Sequence, residues 1–120
     1  MHVLIVEGDR SLSELWKRHL ERQGARVSTA TSQIGAVELL QREAVSVIVL
    51  SLDLTEGSAF AVADFASYRC PDVRVIFVTR STFFSDGSIF RLIPNTAAYI
   101  AAQTPPEDIA AIVEHHGSTI

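Results

Sequence analysis

Three short runs of β-branched and other apolar residues limit most strongly how this chain can fold. They are Val3–Val6, Val45–Leu52 and Val73–Val78, and only Ser46 and Ser51 interrupt the second. Each run is apolar on both faces and too short for a buried helix. This pattern is typical of central strands in a parallel sheet that is covered on both sides. The runs therefore predict three central strands.

Two weaker strand candidates accompany these runs. Arg26–Ala30 alternates polar and apolar residues, and Ala98–Ala102 holds Tyr99 and Ile100 among alanines. A strand with one solvated flank suits the edge of a sheet better than its centre. We therefore expect both segments at the sheet edges.

Helical patterns separate the strands. The first carries apolar residues at helical spacing, namely Leu12, Leu15, Trp16 and Leu20. Ser11 with Glu14 predicts a capping box at its start, and Gly24 predicts its end. The later helices are predicted around Ile34, Val37 and Leu40, over Ser58–Ser67, and from Pro106 onward with a stripe of Ile109, Ile112 and Val113. The segment Phe83–Ile93 has the weakest helical pattern, because it contains Gly87.

Alternating strands and helices within 120 residues predict a right-handed, doubly wound α/β fold. The expected architecture is a (βα)5 flavodoxin-like sandwich with a five-stranded parallel sheet in the order 2-1-3-4-5. That order places both weaker strands at the edges. We expect one domain over residues 1–120.

Charge and cysteine content exclude several functional classes. The net charge of −4 and the absence of a basic patch argue against direct binding of nucleic acid. A single cysteine, Cys70, cannot form an intrachain disulfide or a multi-thiolate metal site. No apolar stretch approaches the roughly 20 residues that a membrane helix needs, and no leader pattern is present. A cytoplasmic protein without membrane association is therefore expected.

In an open α/β sheet, ligands bind beyond the carboxyl ends of the strands, where the strand order reverses. The residues that follow the predicted strands are therefore the candidates for chemistry. They are Glu7, Gly8 and Asp9 after the first strand, Ser51 and Asp53 after the third, Thr79 and Arg80 after the fourth, and Ala101, Ala102 and Gln103 after the fifth.

The segments Val3–Asp9, Val47–Gly57, Val75–Thr79 and Ala98–Gln103 resemble the receiver domain of bacterial two-component response regulators (CheY-like). The resemblance extends over essentially the whole chain. It implies phosphoryl transfer from a partner histidine kinase to an aspartate at the end of the third strand. Acidic residues after the first strand would hold Mg²⁺, a lysine would balance charge, and a Thr or Ser would bond the phosphoryl group.

The chain departs from that pattern at four positions. Ser51 takes the place of the acceptor aspartate, Gly8 that of one acidic residue, Ala102 that of the lysine and Gln103 that of the following proline. Only Glu7 and Thr79 remain, and the one lysine of the chain, Lys17, lies in the first helix. A serine hydroxyl does not ligate Mg²⁺ as a carboxylate does, and it cannot form an acyl phosphate. We therefore expect a degenerate phospho-acceptor pocket with no catalytic residue, no metal and no Mg²⁺ cofactor.

Several of these residues also have a purely structural interpretation. Ser51 can be a small polar residue at the end of a buried strand, and Asp53 a loop aspartate that accepts from backbone amides. Asp9 can be a metal ligand or a helix N-cap. Thr79 can be a phosphate contact or a strand-end hydroxyl that bonds its own loop.

Four aromatic residues mark a candidate switch and interaction face: Tyr99, Phe83, Phe84 and Phe90. The resemblance implies that they belong to the face through which receivers dimerise or contact an output partner. If they are exposed, they form an apolar patch that favours a partner. The alternative is that Phe90 and one phenylalanine of the pair close the core and that Tyr99 is an ordinary edge-strand aromatic.

Three functional hypotheses follow. The favoured one is a non-enzymatic, phosphorylation-independent pseudo-receiver that contacts a histidine kinase or output protein or forms a homodimer. The second is an active receiver that accepts a phosphoryl group on Asp53, with Mg²⁺ held by Glu7 and Asp9 and with Arg80 in place of the lysine. The third is a flavodoxin-like binder of a small molecule, which the single glycine in the loop after the first strand does not favour.

Overall fold

The computed structural model describes residues 1–80 and 95–117. Its five strands are β1 (His2–Val6), β2 (Arg26–Ala30), β3 (Val47–Ser51), β4 (Arg74–Thr79) and β5 (Thr96–Ala101). All pairings are parallel, and the order is β2-β1-β3-β4-β5. The predicted fold class and strand order are therefore confirmed, with both weaker strands at the edges.

The described helices are α1 (Arg10–Arg22), α2 (Gln33–Arg42), α3 (Ala59–Arg69) and α4 (Pro106–Gly117). Buried residues of α2 and α3 pack on one face of the sheet, and those of α1 and α4 pack on the other. Every residue of β1 and β3 is buried, because alternate side chains enter the two cores. This burial explains why β1 and β3 are apolar except for His2 at the start of β1 and Ser51 at the end of β3.

Some predicted boundaries were wrong by one or two residues. β3 begins at Val47 rather than Val45, and β5 begins at Thr96 rather than Ala98. β1 includes His2, which is buried even though it is polar. Its Nδ1 lies 2.9 Å from the carbonyl oxygen of Ala44, and its Nε2 lies 2.8 Å from the hydroxyl of Ser28. Both ring nitrogens of His2 therefore have hydrogen-bond partners, as buried polar groups usually do.

The predicted capping box at Ser11 was wrong. Asp9 is the N-cap of α1, and its Oδ1 accepts from the N–H groups of Ser11 and Leu12 at 2.9 and 3.3 Å. Ser11 therefore lies inside the helix. The predicted end is confirmed, since α1 stops at Arg22 and Gly24 takes a φ of +89°, a conformation that glycine adopts without strain.

The weak helical segment and the aromatic residues Phe83, Phe84 and Phe90 lie outside the described residues. None of the helices in the described ranges has both the length and the apolar character to cross a membrane.

Candidate functional site

The carboxyl ends of β1, β3 and β4 meet at one edge of the sheet, as the parallel register requires. Val6 pairs with Leu50, and Ser51 pairs with Val78. Glu7 directly follows β1, whereas Ser51 and Thr79 end β3 and β4, and all three residues are buried. This is the predicted place for chemistry, at the reversal of strand order between β1 and β3.

Glu7 is a fully buried acid, with 0% of its surface exposed. Its Oε2 accepts a hydrogen bond from the backbone N–H of Asp9 at 2.9 Å. Its Oε1 has no hydrogen-bond partner within the described residues. The nearest cation is Arg80, whose Nη2 lies 3.6 Å from Oε1. A buried carboxylate is costly unless a positive group compensates it, and Arg80 is the group in place.

Arg80 contacts three carboxylates at once. Besides Glu7, its Nη2 lies 3.8 Å from Asp9 Oδ2, and its Nη1 lies 3.5 Å from Asp53 Oδ2. The side chains of Arg80, Asp9 and Asp53 are each about half exposed, whereas Glu7 is fully buried. The guanidinium therefore lies at the mouth of the pocket with the buried acid beneath it. Sequence reasoning considered Arg80 only as a substitute for the missing lysine.

Ser51 ends β3 with 1% of its surface exposed. Its hydroxyl oxygen accepts from the backbone N–H of Asp53 at 3.1 Å. This bond fits the structural interpretation of Ser51, in which a small polar side chain closes the turn after a buried strand. Asp53 lies two residues further along, and its half-exposed carboxylate faces Arg80.

Gly8 is covered by the loop between β3 and α3. Its N–H donates to the carbonyl oxygen of Asp53 at 3.1 Å. A Cβ at Gly8 would lie 2.9 Å from that oxygen and 3.2 Å from the backbone nitrogen of Thr55. The side chain of an acidic residue therefore has no room here unless the loop moves. The resemblance to receivers predicts an acidic residue at position 8, and that role stays a prediction. A single glycine in the sequence offers no signal for this backbone approach.

The same loop is tied to the start of α2. The backbone N–H and the hydroxyl of Thr55 both donate to the carbonyl oxygen of Thr31, at 3.0 and 2.8 Å. Gln33 donates its N–H to the carbonyl oxygen of Glu56 at 3.0 Å, and its Oε1 accepts from the N–H of Ser58 at 2.9 Å. These bonds fix the loop over the carboxyl ends of β1 and β3.

The remaining predicted site residues lie on the β4–β5 side. The backbone carbonyl of Thr79 accepts from the N–H of Ala102 at 2.9 Å, which joins the ends of β4 and β5. Tyr99 pairs with Phe77 in the sheet and is 41% exposed. The edge position is confirmed, and a role of Tyr99 in switching stays a prediction.

A cleft of about 360 Å³ lies at the opposite end of the sheet, where the loops before β3 and β4 meet the end of α4. His116 lines this cleft. Partial burial lowers the pKa of His116 below its ordinary value of 6.5, and the neighbouring charges of His115 and Arg74 lower it further. The cleft is remote from the predicted site, so it gives no support to a small-molecule site among the candidate residues.

Comparison with known proteins was made by sequence and by structure. No protein-family model matches the chain. The response regulator SaeR of Staphylococcus aureus is 23% identical over 108 residues, and the match covers 90% of this chain and 46% of SaeR. The chain thus spans about half the length of the curated relatives that it matches.

Solved structures match over nearly the full chain. The non-phosphorylated HemR receiver domain from Leptospira biflexa gives a TM-score of 0.87 at 24% identity, covering 99% of this chain and 95% of that one. The chain has the fold of a response-regulator receiver domain. A response regulator from Burkholderia pseudomallei, solved with a phosphorylated aspartic acid, a calcium ion and citrate, gives 0.83 at 21% identity, with coverage of 98% and 68%.

The residues at this edge do not fit the Mg²⁺ that the receiver fold implies. Mg²⁺ requires near-octahedral oxygen ligands, usually carboxylates with substrate phosphates. Here the guanidinium of Arg80 lies against the carboxylates of Glu7 and Asp9, and the Ser51 oxygen already accepts a hydrogen bond. Within residues 1–80 and 95–117, no group of three or more His, Cys, Asp or Glu residues could hold a metal ion. The expectation that the chain uses no cofactor stays a prediction.

Proposed function

We propose that this chain is a phosphorylation-independent receiver domain that acts in two-component signalling by binding another protein. The observation that carries the proposal is Ser51. This residue ends the central strand β3, is buried, and uses its hydroxyl oxygen to accept from the N–H of Asp53. The resemblance to receivers implies that the phospho-acceptor aspartate would stand at this position.

The chemistry of phosphoryl transfer supports the same conclusion. The reaction needs little more than a positioned nucleophile and charge neutralisation around the transferred group. A neutral hydroxyl is a poor substitute for the acceptor carboxylate, and Ala102 supplies no cation at the position of the lysine. The pocket retains the buried Glu7, which is already compensated by Arg80. An incoming phosphoryl group would therefore meet carboxylates and a guanidinium that is already paired.

A receiver without a phosphoryl group still has a use as a binding module. In a standard receiver, the phosphoryl group shifts the populations of two conformations. In this chain, the sequence or a bound partner sets the populations of the two conformations. The partner that we propose is a histidine kinase, an output protein or a second copy of the chain, and the SaeR match supports this setting.

The proposal is tested by intact mass after incubation with Mg²⁺ and acetyl phosphate. We expect no gain of one phosphoryl group, whereas a receiver with an acceptor aspartate, treated in parallel, gains one. A gain that disappears in Asp53→Ala would overturn the proposal in favour of an active receiver with a relocated acceptor. Asp64→Ala is the matched control, because Asp64 is an exposed aspartate on α3, remote from the pocket.

The protein-binding part has its own measurement. The solution mass, read by light scattering over a range of concentrations, distinguishes self-association from a monomer that awaits a different partner. A dimer supports the second copy as the partner. A monomer that also fails to bind the purified histidine kinases and output proteins of the same organism contradicts the proposal.

A further inference from the structure

Among the described residues, the pocket holds three acids and a single cation. Glu7, Asp9 and Asp53 carry three carboxylates from the loops after β1 and β3, and Arg80 lies between them directly after β4. In the described part of the chain, no other cation forms an ion pair with any of these three acids. The position of Arg80 therefore decides the charge balance of the pocket.

The charge balance matters most at Glu7, because this residue is fully buried. The carboxylate has no exposed surface, and its Oε1 lacks a hydrogen-bond donor within the described residues. The guanidinium at 3.6 Å is long for a hydrogen bond but close enough for a strong Coulomb interaction beside a buried site. The unpartnered oxygen thus points to a cation held by charge rather than by a directed hydrogen bond.

The backbone holds the second and third acids near that cation. Asp9 is fixed as the N-cap of α1, and the carbonyl of Asp53 accepts from the N–H of Gly8. The loop that carries Asp53 is fixed in turn by the bonds of Thr55 to Thr31. The three carboxylates are therefore positioned by the fold, and Arg80 reaches them from the end of β4.

We propose that Arg80 is the resident cation of the pocket, and that its guanidinium occupies the charge-neutralising place that a divalent cation would take. The guanidinium links the loops after β1 and β3 to the end of β4, and this arrangement needs no divalent cation. The inference rests on the proposed function in one respect, since it assumes that this pocket accepts no phosphoryl group. Beyond the proposed function, it assigns the closure of the pocket to Arg80.

The test compares Arg80→Gln, Arg80→Lys and the parent protein, with Mn²⁺ as the probe. With Arg80 among them, the three carboxylates are not arranged to hold a metal ion. Removing the guanidinium leaves them without a cation among the described residues and frees them to close on a divalent ion. We therefore expect Arg80→Gln to bind Mn²⁺ at least about tenfold more tightly than the parent. Without divalent cations, the Tm of Arg80→Gln should be lower than that of the parent protein. Addition of Mg²⁺ or Mn²⁺ should raise the Tm of this variant. Arg80→Lys keeps a positive charge and stays close to the parent in both measurements.

Arg74→Gln is the matched control, because Arg74 is an exposed arginine at the opposite end of β4. It should leave Mn²⁺ binding unchanged. The inference is overturned if the parent binds Mn²⁺ as tightly as Arg80→Gln, or if Arg80→Gln gains no response to divalent cations. Should Arg80→Gln not fold without divalent cations, refolding on addition of Mg²⁺ supports the inference, and failure to refold with Mg²⁺ contradicts it.

These readouts need no phosphodonor, so they separate the inference from the proposed function. A parent protein that gains a phosphoryl group while Arg80→Gln still gains Mn²⁺ affinity contradicts the proposed function and the closure of the pocket, but it leaves Arg80 as the resident cation. A parent that gains no phosphoryl group while Arg80→Gln is insensitive to Mn²⁺ contradicts the inference alone.

Discussion

The Nη2 atom of Arg80 lies 3.6 Å from Oε1 of Glu7, a pairing of a half-exposed cation with a fully buried anion. The two partners differ in what they lose upon folding. Glu7 loses all contact with water, whereas Arg80 keeps much of its hydration. Breaking the pair by removing Arg80 should therefore cost more than an ordinary surface ion pair, because it leaves a buried charge uncompensated.

A double-mutant cycle measures this coupling. We expect Arg80→Gln and Glu7→Gln to show a coupling free energy of about 1–2 kcal/mol, since the half-exposed guanidinium reduces the value for a fully buried pair. The cycle of Arg80→Gln with Asp9→Asn should give less than about 0.5 kcal/mol, because both side chains are solvated. Urea unfolding followed by the fluorescence of Trp16, the one tryptophan of the chain and a buried one, supplies the free energies. Equal coupling in the two cycles would contradict the role of burial.

Gly8→Ala should destabilise the protein by about 1–3 kcal/mol, in the range found for overpacked sites. The reason is the distance of 2.9 Å between the added Cβ and the backbone carbonyl oxygen of Asp53, which cannot rotate away as a side chain would. Gly35→Ala is the control, since a Cβ there meets its nearest atoms at 3.4 and 3.6 Å within α2. It should be neutral or stabilising by up to about 1 kcal/mol. Urea midpoints measure both, and equal midpoints would refute the close approach at Gly8.

Asp9 has two roles at the start of α1: its Oδ1 caps the helix, and its charge faces Arg80. Two substitutions of Asp9 distinguish these roles. Asp9→Ala removes the acceptor for the N–H groups of Ser11 and Leu12 and should cost about 1 kcal/mol. Asp9→Asn retains an acceptor oxygen, so it should recover most of that loss. The free energy of unfolding distinguishes them. An Asp9→Asn protein that is as unstable as Asp9→Ala would show that the charge facing Arg80, and not the cap, is what matters.

His116 should contribute to the pH dependence of stability. Burial, together with His115 and Arg74, lowers its pKa in the folded protein below 6.5, so the unfolded chain binds the proton more tightly. The contribution is fully present above pH 6.5 and is lost as the pH falls through 6.5 toward the lowered value. In His116→Gln, the free energy of unfolding should therefore fall less steeply with acidification across this window. Superimposable pH profiles for the two proteins would contradict the shift.

The fold could be predicted from the sequence because burial on both faces leaves a strong signal. Strands β1, β3 and β4 are apolar apart from polar residues at their ends, and their weaker partners β2 and β5 lie at the solvated edges. The end of α1 shortly before Gly24 and the start of α4 at Pro106 were equally clear, since both depend on local backbone chemistry. The N-cap was ambiguous, because Asp9 and Ser11 are both good capping residues two positions apart.

The site was only partly predictable. The missing carboxylates could be inferred from Gly8 and Ser51 once the third strand was aligned with the receiver pattern. The convergence of Arg80 on three acids could not, because it depends on the rotamer of one long side chain and on the path of a loop. The approach of the Asp53 carbonyl to Gly8 likewise depends on tertiary packing, for which a single glycine gives no specific signal.

The contact between the Gly8 backbone and the Asp53 carbonyl also limits how this protein can change. A side chain at position 8 requires the loop between β3 and α3 to move first, because its Cβ would lie 2.9 Å from the carbonyl oxygen of Asp53. A substitution that adds a carboxylate at position 8 therefore costs stability unless a second substitution in the loop relieves the contact. The order in which substitutions can accumulate at this edge of the sheet thus depends on the path of the loop.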